Sequence, residues 1–217
     1  MYTLCIQIHS KICRLAKFRS LTFFVVDPQY GMYVWPSAPV LAQYVWNNRT
    51  SIEGKKILEL GAGTALPGIV AAKCGADVVL SDDCQSPQCL QNARRSADLN
   101  GLQNVKVLGI RWGQFDPDLL ELDPIDIILG SDCFYDTKDF EDIIVTVAFL
   151  MDKNPQAVFW TTYQERSCDR SIEYLLKKWG LRCSEVRLSD FGGDSPNIAR
   201  SSLPGPHSIL MLVIEKG

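Results

Sequence analysis

The chain carries two histidines, His9 and His207, and no cysteine pair in CxxC spacing. Its eight thiols (Cys5, Cys13, Cys74, Cys84, Cys89, Cys133, Cys168 and Cys183) are scattered. A zinc site or a disulfide framework is therefore not expected, and reduced thiols of a cytosolic or nuclear protein fit better. No apolar run approaches the length of a membrane span. A net charge of −3 gives no global basic field, so bulk affinity for nucleic acid is not indicated. Internal repeats and low-complexity tracts are missing too. What is present is an ordinary soluble balance, 47% hydrophobic and 22% charged. At 217 residues the chain is long enough for one substantial core and short for two. The Asn48-Arg49-Thr50 sequon carries no meaning without secretion.

The first 26 residues hold Lys11, Arg14, Lys17 and Arg19 with no acid before Asp27. That bias weakly resembles a mitochondrial presequence. The reading adopted is a poorly ordered N-terminal extension, residues 1–26, ahead of a single domain at 27–217.

From Lys56 onward strands and helices alternate. "KILEL" (56–60), "ADVVLSD" (76–82), "VKVLGI" (105–110), "IDIILG" (125–130) and "AVFWTTY" (157–163) read as strands. Helices are expected from Gly68, from Ser86-Pro87 to Asn100, along Phe140, Ile143, Ile144, Val147 and Met151, and from Ser171 to Trp179, closed by Gly180. "LRCSEVRL" (181–188) and "SILMLVIEK" (208–216) follow without an intervening helix, which makes them antiparallel neighbours at one edge. An amphipathic helix near Ala38–Trp46 precedes the whole. The fold class is α/β: a doubly wound, mostly parallel seven-stranded sheet whose last strand is antiparallel.

The turn after the first of these strands, Gly61-Ala62-Gly63-Thr64-Ala65, could hold a ligand. A P-loop reading fails, because Gly63 and Gly68 have the spacing but Ile69 and Val70 stand where lysine and a hydroxyl are needed. A dinucleotide fingerprint is a poor match, since Leu66 replaces the third glycine. Glu59 lies near the carboxyl end of the preceding strand. A carboxylate there would repel a pyrophosphate and favour a cationic, phosphate-free ligand such as S-adenosylmethionine. Asp82 ends the second strand, where an acid accepts a ribose diol, with Asp83 as the nearby alternative.

The elements "GMYVWPSAPVLAQYV", "ILELGAGTALPG", "VVLSD", "IRWG" and "DIILGSDCFYD", in that order, resemble methyltransferase family 16 among the seven-β-strand methyltransferases. The resemblance runs from Tyr30 to Lys216. Ala65 departs from the family's "GAGTG" and makes the turn less permissive. The resemblance implies S-adenosyl-L-methionine as cofactor, with Trp35 lining its site and Gly61, Ala62 and Gly63 around the methionine portion. It puts Asp82 on the ribose, Trp112 against the adenine and Ser131 beside the cofactor. Core packing is the alternative for each tryptophan and suits Trp46 and Trp179. Asp132-Cys133-Phe134-Tyr135 matches the family's Asp-x-x-Tyr substrate motif.

Methyl transfer requires a nitrogen lone pair held in line with a sulfonium methyl. A carboxylate can orient a cationic lysine or arginine, and an aromatic ring can pack along it. Asp132 is the expected orienter and Tyr135 its companion, with Asp136 and Glu165 behind them. Cys133 reads as a filler, having no histidine to activate it. The resemblance implies a protein methyltransferase acting on arginine of histone H3, although the paired glutamates of dedicated arginine enzymes are missing. Lysine of a non-histone protein is the alternative. Chaperone or transcription-factor partners, nuclear and cytoplasmic location and no membrane partner complete the expectation. A cofactor-binding interaction module and a nucleic-acid or small-molecule enzyme are the competing classes. No Asn/Asp-Pro-Pro-Tyr segment supports a base methyltransferase.

Overall fold

Successive residues of the central strands pack against opposite layers, as β geometry requires. Ile57, Ile127, Leu129 and Trp160 enter one core, whereas Leu58, Ile128 and Phe159 enter another. The computed structural model describes residues 2–7, 19–24, 33–164, 171–195, 198 and 208–217. Its main sheet comprises β3 (Lys56–Glu59), β4 (Asp77–Asp82), β5 (Lys106–Gly109), β6 (Ile127–Ser131), β7 (Val158–Gln164), β8 (Leu181–Val186) and β9 (Ile209–Lys216). The strand order is β5-β4-β3-β6-β7-β9-β8. β9 inserts between β7 and β8 and runs antiparallel to both; the other pairings are parallel. All seven strands match the expected segments to within two residues.

α1 (Ser37–Asn47) and α3 (Leu66–Lys73) contribute to the first core, which also receives Ala93 and Ala97 of α4 (Pro87–Leu99). α6 (Phe140–Lys153) and α7 (Glu173–Lys178) cover the other face. Two short helices were not expected, α2 (Arg49–Ile52) and α5 (Pro117–Leu120). The second is started by Asp116, whose carboxylate accepts the Leu119 amide at 3.2 Å. Within the N-terminal extension, β1 (Tyr2–Gln7) and β2 (Arg19–Phe24) pair antiparallel as a separate two-stranded sheet. Trp179 departs from the core role expected of it: it is 38% exposed and donates its indole N–H to Glu141. His9, Cys13, Glu165, Cys168 and His207 lie outside the described residues.

β3 and β6 are neighbours. Chain connections diverge on either side of this pair, β3 leading to β4 and β6 to β7. The carboxyl ends of β3 and β6 therefore form the crevice where open α/β sheets bind ligands.

Candidate active site

A cleft of about 980 Å³ opens at that point. Trp35, Gly61, Ala62, Gly63, Asp82, Trp112, Ser131, Asp132 and Tyr135 all line it. Nine of the ten residues singled out from the sequence thus meet in one place, although they come from five segments of the chain.

Glu59 is the exception. It is 1% exposed and does not line the cleft; Oε2 accepts the Gly68 amide at 3.0 Å. Its carboxylate is turned into the start of α3, and a Cβ at Gly68 would stand 2.5 Å from Oε2. Gly68 is thus a small residue demanded by a buried acid. Burial pushes the Glu59 carboxyl up to about 8; nearby Asp82 adds to the shift and the Gly68 N–H opposes it. A group whose folded-state pKa is raised stabilises the fold below its unfolded pKa, and that contribution is lost as pH rises towards about 8. Glu59→Gln imitates the protonated acid and keeps an acceptor for Gly68. Its melting temperature should therefore gain on wild type between pH 5 and about 8, as scanning calorimetry at stepped pH would record. A constant difference across that window would contradict this account of Glu59.

The glycine turn is held by side chains of its neighbours. Asp82 Oδ2 accepts the Gly63 amide at 2.7 Å, and Oδ1 accepts its own neighbour's amide, Asp83 N, at 2.9 Å. Burial raises the Asp82 carboxyl above its ordinary value, while these two amide donors pull it back. From α4, Asn92 Nδ2 donates to the Gly63 carbonyl at 3.4 Å, so the Gly63 residue is pinned from both sides. Gly61 and Gly63 have φ of 60° and 50°, and Ala65, at 61°, accepts the same left-handed conformation despite its Cβ. That is the physical content of its departure from glycine. At Gly61 a Cβ would come within 2.9 Å of the Trp112 ring, so the missing side chain allows the indole to lie against the turn.

Trp112 is positioned by the glycine that follows it. The Gly113 amide donates to Thr146 Oγ1 on α6 at 2.8 Å, and a Cβ at Gly113 would collide with Asp142. In the loop after β6, Asp132 (6% exposed), Cys133 and Tyr135 line the cleft, whereas Phe134 is fully buried and packs edge-on against Phe140 and Tyr163. Asp132 takes a left-handed φ of 54°, fixed by its amide donating to Thr162 O at 2.8 Å. Thr162 also donates its hydroxyl to Ser37 O at 3.0 Å, which ties the start of α1, and Trp35 just before it, to the same end of the sheet. Burial drives the Cys133 thiol far upward, so it stays protonated and acts as filler.

The wall is strongly acidic. Among the described residues, Asp82, Asp83, Asp132, Asp136, Asp139 and Asp142 line it against one cation, Arg111, which faces Asp83 at 3.7 Å. A pyrophosphate would meet repulsion here, whereas a cationic ligand would be attracted. Among the described residues no group of histidines, cysteines and acids is arranged to hold a metal ion. Sequence reasoning missed Tyr33, Asn92 and Thr162. Tyr33 alone carried a legible signal: it alternates with Trp35 across "YVW", which puts both on one side of an extended segment.

This fold and its switch-point loops define a class I methyltransferase. Similar folds occur in a SAM dependent methyltransferase from Aquifex aeolicus, with TM-score 0.58 at 15% identity, covering 83% of this chain and 93% of that one. A precorrin-6y C5,15-methyltransferase from Geobacter metallireducens GS-15 gives 0.55 at 14% identity, covering 80% and 86%. The profile of the lysine methyltransferase family matches residues 25–178, and the chain belongs to that family. It is similar to histone-arginine methyltransferase METTL23 of Xenopus laevis, 58% identical over 88% of this chain and 81% of the relative. The relative of the same name from Homo sapiens is 54% identical, covering 84% and 96%. Protein N-lysine methyltransferase METTL21A of Xenopus tropicalis is 36% identical over 54% of each chain.

The methyl donor of this class is S-adenosylmethionine, and the residues present fit it. Each Asp82 oxygen accepts one amide and retains a lone pair, enough for two ribose hydroxyls. Trp112, seated against the side-chain-free Gly61, lines the cleft with an indole against which a purine can stack. The acidic wall suits a sulfonium and an ammonium.

Proposed function

We propose that the protein methylates arginine side chains of histones, histone H3 first among them, in this cleft. One observation carries the reading: the acidic loop after β6 and the glycine turn after β3 face a single cavity, so acceptor and donor can meet there. The relatives named histone-arginine methyltransferase, at 54–58% identity, support the choice of acceptor. In this reading Trp35, Gly61, Ala62, Gly63, Asp82, Trp112 and Ser131 hold the cofactor, and Glu59 acts through the turn. The cofactor, when bound, supplies an electrophilic methyl group.

Asp132 and Tyr135 handle the acceptor. Asp132 accepts hydrogen bonds from the guanidinium, fixing which nitrogen faces the donor and favouring charge build-up on the remaining nitrogens. Tyr135, 48% exposed, packs along the side chain at the mouth. Asp136 and Asp139 extend the negative field outward, which draws in a basic histone tail. The proton lost on methylation leaves through this carboxylate cluster to solvent.

Lysine is the second reading, favoured by the family's own description and by the N-lysine relative. We place the protein in nucleus and cytoplasm, where histones and their carriers are found; chaperone or transcription-factor partners belong to the same reading. The test is transfer of an isotope-labelled methyl group from S-adenosylmethionine to purified core histones. Wild type should label them, and Asp82→Ala should label them only when the cofactor is raised in compensation. Unlabelled histones at saturating cofactor would overturn the reading.

A further inference from the structure

Among the described residues seven large apolar side chains stand exposed, and five of them lie away from the cleft. The other two are Tyr33, 55% exposed, and Tyr135, 48% exposed, and both line it. They come from separate segments, Tyr33 from just before α1 and Tyr135 from the loop after β6. An exposed aromatic ring that lines a site offers a face on which a ligand's side chain can pack.

Resting on the function proposed above, we propose that Tyr33 is a specificity-determining residue on the acceptor side of the cleft, its ring taking the cationic side chain that Asp132 orients. Three observations favour a cation over an apolar group. The Tyr33 ring is held edge-to-face against Trp35, with centroids 5.3 Å apart and planes at 79°, so its orientation is set before anything binds. Its exposure leaves ring surface open at the mouth. The same cleft is lined by Asp132, Asp136 and Asp139. The field there is negative: burial, together with Asp139, Asp82 and Asp136, pushes the Tyr135 phenol up to about 12. A cation between an aromatic face and carboxylates gains from both, and a neutral side chain of the same shape gains from neither. Trp112 lies on a different loop, against Gly61, and Tyr33 reaches the cofactor-holding residues through Trp35, so the cofactor must be measured apart from the acceptor.

The experiment measures equilibrium binding of two fluorescent peptides to protein loaded with S-adenosylhomocysteine. One is a histone H3 tail peptide with arginine, and the other carries citrulline, the neutral isostere, at the same positions. Tyr33→Ala should weaken the arginine peptide about tenfold and leave the citrulline peptide within about twofold. Tyr33→Phe keeps the ring and should stay near wild type. Affinity for S-adenosylhomocysteine, read by calorimetry, should stay at wild type in Tyr33→Phe and move no more than about twofold in Tyr33→Ala, where Trp35 loses its neighbour. Equal losses for both peptides, a loss in Tyr33→Phe as large as in Tyr33→Ala, or a parallel fall in S-adenosylhomocysteine affinity would each overturn the inference. So would a wild-type protein that binds the two peptides equally. Methyl transfer to histones reports separately on the function itself.

Discussion

Gly61→Arg is expected to remain folded by far-UV circular dichroism and to weaken S-adenosylmethionine at least a hundredfold by calorimetry. Two separate effects add. The residue has φ of 60°, so any L side chain there is strained by roughly 1–2 kcal/mol. The new Cβ also stands 2.9 Å from Trp112 Cζ2, and displacing the indole costs about 1–3 kcal/mol of packing. Part of this destabilises the protein and part is felt on binding, because the arginine stem must also enter the cleft. Gly54→Ala separates the two parts. Gly54 has φ of 73° but nothing within 4 Å of an added Cβ, so it imposes strain without obstruction. It should lower stability by about 1 kcal/mol and leave cofactor affinity unchanged. If Gly61→Arg binds the cofactor like wild type, the glycine turn is not the cofactor cradle.

Asp132→Asn should cost about 2–4 kcal/mol of transition-state stabilisation, tens to hundreds-fold in turnover, with cofactor affinity near wild type. The substitution suits this position. Asp132 sits in the left-handed region, φ 54°, which asparagine tolerates well, and its amide bond to Thr162 O involves only the backbone. What is lost is the charge. Asp82→Ala should show the opposite split, a weakened cofactor and turnover that recovers at saturation. The separation follows from the strands: Asp82 ends β4 and grips Gly63, whereas Asp132 follows β6 on the far side of β3. Wild-type turnover of Asp132→Asn at saturating cofactor would remove Asp132 from the role of orienter and pass it to Asp136.

The strand segments, the antiparallel last strand and the ligand-holding turn were legible in the sequence because each rests on local pattern, whereas the strand order, with β9 between β7 and β8, was not. Apolar runs bounded by turn residues mark the strands, and the missing helix after residue 188 marks the edge. Residues at strand ends were placed well for the same reason: topology carries Gly61, Asp82 and Asp132 to one side of the sheet. Glu59 misled because a strand-end acid can turn either into the cleft or under the next helix. The choice was made by Gly68, nine residues on, which leaves room for the carboxylate. Trp179 misled because helical spacing does not tell which face a short terminal helix buries, and Glu141 of α6 offered its indole a partner at the surface. Asn92 and Thr162 could not be read at all. Each acts through a contact spanning 29 or 125 residues, and no local pattern carries such a contact.

The most direct measurement is mass-spectrometric mapping of core histones after incubation with the purified protein and S-adenosylmethionine bearing a deuterated methyl group. The expected result is label on arginine of histone H3, strongly reduced with Asp132→Asn under the same saturating cofactor. Label confined to lysine, or label on arginine undiminished by Asp132→Asn, would contradict the account.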